Sequence, residues 1–135
     1  IQEAVRNNDR LLHTDVALAA ELWQKIHSFL PQELGGRKFW GMNEVFRFYR
    51  YCPGQKFALH QDGKIFKDQQ TVSLLTFLIY LNEGFAAGET AFREHIIQPE
   101  QGMALVFSDH LLHEGKPLIK GIKYVLRSDV FYQET

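Results

Sequence analysis

Only one segment of this chain carries a helical period, and everything after it reads as short strands and turns. Over residues 15–30 apolar side chains recur at spacings of three and four: Leu18, Leu22, Ile26 and Phe29 or Leu30, with Ala19 and Trp23 widening the stripe. Thr14 or Asp15 would cap this helix, and Pro31 would stop it. Beyond the turn-rich link Gly35-Gly36-Arg37 the pattern changes to alternating, β-branched and aromatic runs over 44–50, 71–81, 90–92, 103–107 and 122–132. Pro53-Gly54 suits the centre of a type II turn, since Pro sets φ at the first central position and Gly tolerates positive φ at the second. A helix followed by strands without further αβ alternation predicts an α+β chain: an all-β core, barrel or double sheet, under a helical cover. The 135 residues suffice for one domain with a buried core, divided into a helical N-terminal part over about 1–40 and a β core over about 43–133.

Charge narrows the partners. With 15 Lys and Arg against 16 Asp and Glu, and no basic run, the chain lacks the electrostatic footprint of nucleic-acid or membrane-surface binding. The longest apolar run, 74–81, is far too short to span a bilayer and contains Thr76. Cys52 is the only cysteine, so no internal disulfide is available and a reducing cytoplasm is the simplest expected location. The first residues, Ile1-Gln2-Glu3-Ala4, have neither an initiator Met nor a secretory apolar region, so a fragment with a targeting segment elsewhere is an open reading. No feature fixes an oligomeric state.

The chemistry concentrates in two stretches. In Phe57-Ala58-Leu59-His60-Gln61-Asp62, a strand would place His60 and Asp62 on one face, able to hold one metal ion together. A third ligand would come from Asp109-His110-Leu111-Leu112-His113; His113 is preferred because Gly115 follows closely, with His110 as the alternative. His13 and His27 belong to the helix region and His95 to the charged stretch Arg93-Glu94-His95, where exposed histidines are the plain expectation. Two histidines and one carboxylate leave open metal positions and match the ligand pattern of non-haem Fe(II) oxygenases. His-x-Asp by itself is a weak signal; its context on a strand, with a histidine after a buried strand, strengthens it.

Five motifs in order then carry a family resemblance. Residues 51–62, Thr76-Phe77-Leu78-Ile79-Tyr80-Leu81-Asn82, Gly88-Glu89-Thr90-Ala91-Phe92, His113-Glu114-Gly115 and Gly121-Ile122-Lys123-Tyr124 resemble the prolyl 4-hydroxylase-like branch of the 2-oxoglutarate and Fe(II)-dependent dioxygenases. The resemblance implies a double-stranded β-helix of the jelly-roll, cupin-like kind, Fe(II) on His60, Asp62 and His113, 2-oxoglutarate as cosubstrate, and O2 as oxidant. Hydroxylation of a peptidyl prolyl residue, a free amino acid or another small molecule would yield succinate and CO2 as coproducts, with ascorbate as an accessory reductant.

In this family a basic residue about ten positions after the last histidine binds the distal carboxylate of the cosubstrate, the place of Lys123. Arg127 shares its strand face and is the second candidate. Tyr51 and Tyr80 fall where family members offer a phenol to the cosubstrate, or would serve as aromatic core residues. The chain departs from the family at Ala87, where a second glycine is common, and near Asp129, where a tryptophan is common beside the cosubstrate neighbourhood. Asp62 is present, which favours hydroxylation over halogenation. Residues 63–70, with Lys64, Phe66 and Lys67, would form either a mobile lid or an ordinary loop. Two other readings keep the fold: a non-catalytic cupin-like metal-binding protein, and a zinc-dependent hydrolase or isomerase with Glu114 as its base.

Overall fold

The computed structural model describes residues 6–135; Ile1-Gln2-Glu3-Ala4 lies outside the described residues. In chain order the elements are β1 (Asp9–Thr14), α1 (Val16–Ile26), a 3-10 turn (His27–Phe29), β2 (Glu33–Leu34), β3 (Arg37–Met42), β4 (Val45–Tyr51), β5 (Phe57–His60) and β6 (Thr71–Tyr80). They continue with β7 (Ala86–Ala87), β8 (Thr90–Phe92), β9 (Ile96–Ile97), β10 (Ala104–Ser108), β11 (His113–Gly115), β12 (Leu118–Lys120) and β13 (Lys123–Gln133).

β13 organises the larger sheet. Its first half pairs with β4, from Lys123↔Tyr51 to Arg127↔Arg47, its end pairs with β3, and its other edge runs along β6 from Val125↔Tyr80 to Gln133↔Thr71. β1 extends this sheet beyond β4, β2 beyond β3 and β10 beyond β6, all antiparallel. A smaller sheet runs β5-β11-β8-β9, and β7 pairs with β12. Side-chain parity sets the two faces of the larger sheet. Phe46, Phe77 and Leu126 face α1 and pack with Leu18, Leu22, Trp23 and Ile26, whereas Tyr49, Tyr51, Tyr80 and Val125 face inward and meet Phe57 of the smaller sheet. Being buried on both faces explains why residues 71–80 read as an almost continuous apolar run; Leu81, which extends the run, is exposed. Two sheets closed over a shared interior, with a helix outside, make the expected double-stranded β-helix.

The expected local signals lie close to where the sequence placed them. Asp15 caps α1, its Oδ1 accepting from the Leu18 N–H at 2.9 Å, and the α-helix gives way to the 3-10 turn before Pro31. Ala19 is the buried residue of α1, and Leu18, Leu22, Trp23 and Ile26 are half-buried against the sheet, each contributing part of the about 1.5–3 kcal/mol that full burial of a large apolar side chain gives. The Pro53-Gly54 turn closes with Gln55 N–H donating to Cys52 O at 2.9 Å and Gly54 at φ 84°, the type II geometry.

The N-terminal part is less helical than expected. β1 and β3 both join the larger sheet, so His13 sits on a strand. β1 is exposed along its whole length and therefore lacks an alternating apolar pattern; its hydrogen bonds to β4 hold it. The segment 63–70 is braced rather than a free lid. Lys64 Nζ bonds both oxygens of the buried Asp109 carboxylate at 3.0 and 3.1 Å, Ile65 N–H donates to Ser73 Oγ at 2.8 Å, and Phe66 bridges to Val72.

Candidate metal centre

The two histidines come from neighbouring strands of the smaller sheet. His60 ends β5 and His113 begins β11, directly opposite each other in register, with ring centroids 4.3 Å apart. Each Nδ1 lies against a backbone carbonyl two residues back, Ala58 O at 2.6 Å and Leu111 O at 2.9 Å. Those contacts call for a proton on Nδ1, which leaves the Nε2 lone pair of each neutral ring free for a metal. Both Nε2 atoms converge on Asp62, at 3.3 Å from Oδ1 for His60 and 3.5 Å from Oδ2 for His113.

Asp62 lies just beyond the end of β5, so strand parity alone does not place it. Its carboxylate, 3% exposed, is held from the larger sheet: Thr76 Oγ1 donates to Oδ2 at 2.7 Å, and Arg127 Nη1 is 3.4 Å from Oδ1. Burial pushes the Asp62 carboxyl up, but contacts with His60, Arg127, His113 and Thr76 outweigh it and hold the group below the usual carboxylate range. Burial pulls the His113 imidazole down, favouring the neutral form that a metal ligand needs. Aromatic rings fix both imidazoles, Phe57 stacking on His60 at 3.8 Å and Phe107 meeting His113 edge-on at 4.7 Å.

One donor atom from each of His60, Asp62 and His113 lies within 4.8 Å of the others, close enough to hold one metal ion. Two imidazole nitrogens and a charged oxygen, each oriented by a partner behind it, fit Fe(II) with positions left open.

Beside this group a cavity of about 420 Å³, counting its mouth, is lined by Tyr51, Tyr80, Lys123 and Arg127 together with the three ligands. Lys123 is 2% exposed. Its Nζ donates to Gly88 O at 2.7 Å and lies 4.4 Å from the centre of the Tyr51 ring; among the described residues it has no ion-pair partner. Burial lowers its pKa to about 8, only partly opposed by Glu89. Tyr51 is buried, and burial pushes its phenol well up, so it faces the cavity as a neutral hydroxyl. The Tyr80 hydroxyl lies 2.5 Å from Thr90 Oγ1.

Arg127 is differently engaged. Besides Asp62 it pairs with Asp129 at 3.3 Å, and Asp129 is bound in turn by Arg47 and by Asn43 Nδ2 at 3.0 Å. Near the place where the resemblance implies a tryptophan, the chain thus holds a buried carboxylate, Asp129, that reaches the site through Arg127.

Other candidates fall away from the centre. His110 is exposed, its backbone N–H bonded to Ser108 Oγ, and it stands outside the group of donors that could share one metal ion. Glu114 follows an inward-facing residue on a strand, so parity turns it outward, where it pairs with Lys116 at 3.8 Å; the hydrolase reading loses its base. The sequence reading missed Thr76 and Thr90 as partners of site residues. Thr76 had a visible signal, a hydroxyl interrupting the longest apolar run, whereas Thr90 had none beyond its motif.

Residues 46–128 match the family described as the 2OG-Fe(II) oxygenase superfamily. No curated protein sequence matches the chain. Among solved structures, a viral collagen prolyl hydroxylase from Paramecium bursaria Chlorella virus-1, in complex with 2-oxoglutarate, is similar with a TM-score of 0.69 and 23% identity, over 94% of this chain and 80% of that one. A Pseudomonas putida prolyl-4-hydroxylase is similar with a TM-score of 0.70 and 19% identity, over 98% and 75% of the two chains. A Trichoplax adhaerens prolyl hydroxylase, in complex with a peptide fragment of the hypoxia inducible factor oxygen degradation domain, gives 0.66 and 18%, over 96% and 65%. The family match spans more than half of the chain, and the chain therefore belongs to the 2OG-Fe(II) oxygenase superfamily, as a 2-oxoglutarate- and Fe(II)-dependent dioxygenase with the fold of the prolyl hydroxylases.

Proposed function

We propose that residues 1–135 form one oxygenase domain that hydroxylates a C–H bond, with Fe(II) on His60, Asp62 and His113 and the distal carboxylate of 2-oxoglutarate on Lys123. The overall conversion is R–H + 2-oxoglutarate + O2 → R–OH + succinate + CO2. The observation that carries this reading is one cavity bounded by both a convergent nitrogen, nitrogen, oxygen donor set and a buried ammonium without an ion-pair partner among the described residues. A cupin that only binds metal has no use for such a lysine, because burying an unpaired cation costs several kcal/mol, about what a bound carboxylate returns.

When bound, the iron supplies the oxygen chemistry. The residues of the chain supply its setting. The Ala58 and Leu111 carbonyls fix the tautomers of His60 and His113, while Thr76 and Arg127 hold Asp62 against rotation. Lys123 sets the depth of the dicarboxylate, and the Tyr51 ring beneath it restricts the ammonium to one direction. Arg127, already paired with two carboxylates, serves the metal ligand rather than the distal end of the cosubstrate.

A peptidyl prolyl residue, a free amino acid and another small molecule are the substrate classes; the peptide bound by the similar Trichoplax enzyme supports the first. Anaerobic addition of Fe(II) and 2-oxoglutarate should produce a weak visible charge-transfer band, followed by succinate when O2 is admitted. Neither band nor succinate would refute the oxygenase reading.

A further inference from the structure

Among the described residues a second cavity lies beside the metal-binding triad, different in chemistry from the one that suits the cosubstrate. This cavity, about 1090 Å³ counting its mouth, is lined by the 93–95 loop and the 110–112 turn together with Phe92, Ile97, Leu105, Phe107 and Gln61. Strand parity ties it to the metal side of the fold. Phe92 is directly opposite His113 in the β8–β11 register, so the two side chains share a face. Phe107 is likewise opposite Thr76, whose hydroxyl bonds Asp62. The floor of this cleft is therefore formed by rings that touch His113, at centroid distances of 5.8 and 4.7 Å, while Gln61 sits between His60 and Asp62 in the chain.

The two cavities differ in chemistry as well as place. The first contains Lys123 and Arg127; the second is lined mainly by apolar side chains, with Leu111 and Leu112 at 47% and 50% exposure, and Arg93 and Glu94 offer opposite charges on its 93–95 loop. Arg93 and Glu94 offset each other toward a dicarboxylate in the second, whereas its apolar walls favour an apolar group. Leu111 and Leu112 are adjacent residues whose exposure a bound apolar group would end.

We propose that this cleft binds an apolar portion of the oxidised substrate, a branched or linear alkyl chain or an aromatic ring attached beside the carbon that is hydroxylated. The inference rests on the oxygenase reading for its account of why the occupant lies at the metal. Within the substrate classes named above, it selects molecules bearing a hydrophobic side group of several carbons and disfavours small polar amino acids.

The test uses the protein loaded anaerobically with Fe(II) and 2-oxoglutarate, and neutral N-alkylacetamides from butyl to octyl as probes, titrated by calorimetry. Affinity should rise about fourfold with each added methylene while the chain lengthens within the cleft. In Leu105→Gln and Leu111→Gln the dependence on chain length should flatten, with the Fe(II) and 2-oxoglutarate titrations unchanged; either variant suffices if the other fails to fold. Replacing Fe(II) by Co(II) should broaden the proton resonances of the bound probe, placing it near the metal. A flat series in the unmodified protein, an equal slope in both variants, or tight binding without broadening would overturn the proposal. Loss of 2-oxoglutarate binding would instead count against the oxygenase reading, and the alkyl series on metal-free protein would still test the cleft.

Discussion

Replacing Lys123 by Met should make the metal-free protein at least as stable and, at the same time, nearly unable to bind 2-oxoglutarate. The two effects have separate origins. Keeping an ammonium charged in the fold at neutral pH, when its pKa has fallen from 10.5 to about 8, costs about 3 kcal/mol. Met has similar reach and no charge, so Lys123→Met removes that cost. The loss is the hydrogen bond to Gly88 O and the contact with the Tyr51 ring; a buried carbonyl left without a partner costs about 1–3 kcal/mol. The balance is a stability change between about zero and +2 kcal/mol, read as a higher urea midpoint. Cosubstrate binding moves the other way. Removing one partner of a buried charge pair typically costs about 2–5 kcal/mol, so the dissociation constant should rise by roughly two to three orders of magnitude, measured by calorimetry with Fe(II) present. A purely structural lysine would show the reverse: the variant would lose stability and keep its affinity. A drop in stability of more than about 1 kcal/mol, or affinity within about threefold of the unmodified protein, would refute the reasoning.

As pH rises through about 8 the free protein loses the Lys123 proton, so 2-oxoglutarate affinity should fall, by up to about tenfold per pH unit, in titrations between pH 7 and 9.5. Stability should rise over part of that range: the unfolded lysine keeps its proton up to about 10.5 while the folded one releases it at about 8, so unfolding takes up a proton and becomes costlier with pH, by up to about 1.4 kcal/mol per unit. Thr76→Val removes the hydroxyl that orients Asp62 while conserving shape; Fe(II) or Co(II) affinity should fall about 10–100-fold, and an unchanged value would mean that Arg127 alone fixes the carboxylate. Ala87 adopts a left-handed conformation at φ 67°, so Ala87→Gly should raise stability by about 0.5–1 kcal/mol in urea denaturation, against the usual cost of a glycine. A lower midpoint would show that the alanine methyl group makes compensating contacts.

Legibility followed the range of the interactions. α1 and its cap at Asp15, the Pro53-Gly54 turn and the strands around Thr71 and Lys123 are written in spacings of one to four residues, which the local backbone obeys. β1 was invisible because an exposed edge strand needs only its partner's hydrogen bonds and no apolar alternation. At the site, His60 and His113 were legible because motif and order carried them. The place of Asp62 past the strand end, and the engagement of Arg127 with Asp62 and Asp129, were not, because a side chain's partner depends on which strands become neighbours.

The sequence by itself determined α1, the longer strands and the Pro53-Gly54 turn, since periodicity and turn chemistry are local properties, and its family motifs carried the donor types of the metal centre and the lysine ten residues beyond its last histidine. Only the tertiary structure decided that β5 and β11 set two imidazoles side by side, with ring planes tilted by 55°, that Thr76 and Arg127 from the larger sheet hold Asp62, and that Lys123 is buried without an ion-pair partner among the described residues. It also placed an apolar cleft beside His113, with Phe107 in contact with both. The physical reason is that strand register over long separations, rather than any residue's own preference, chooses which side chains share an interior face.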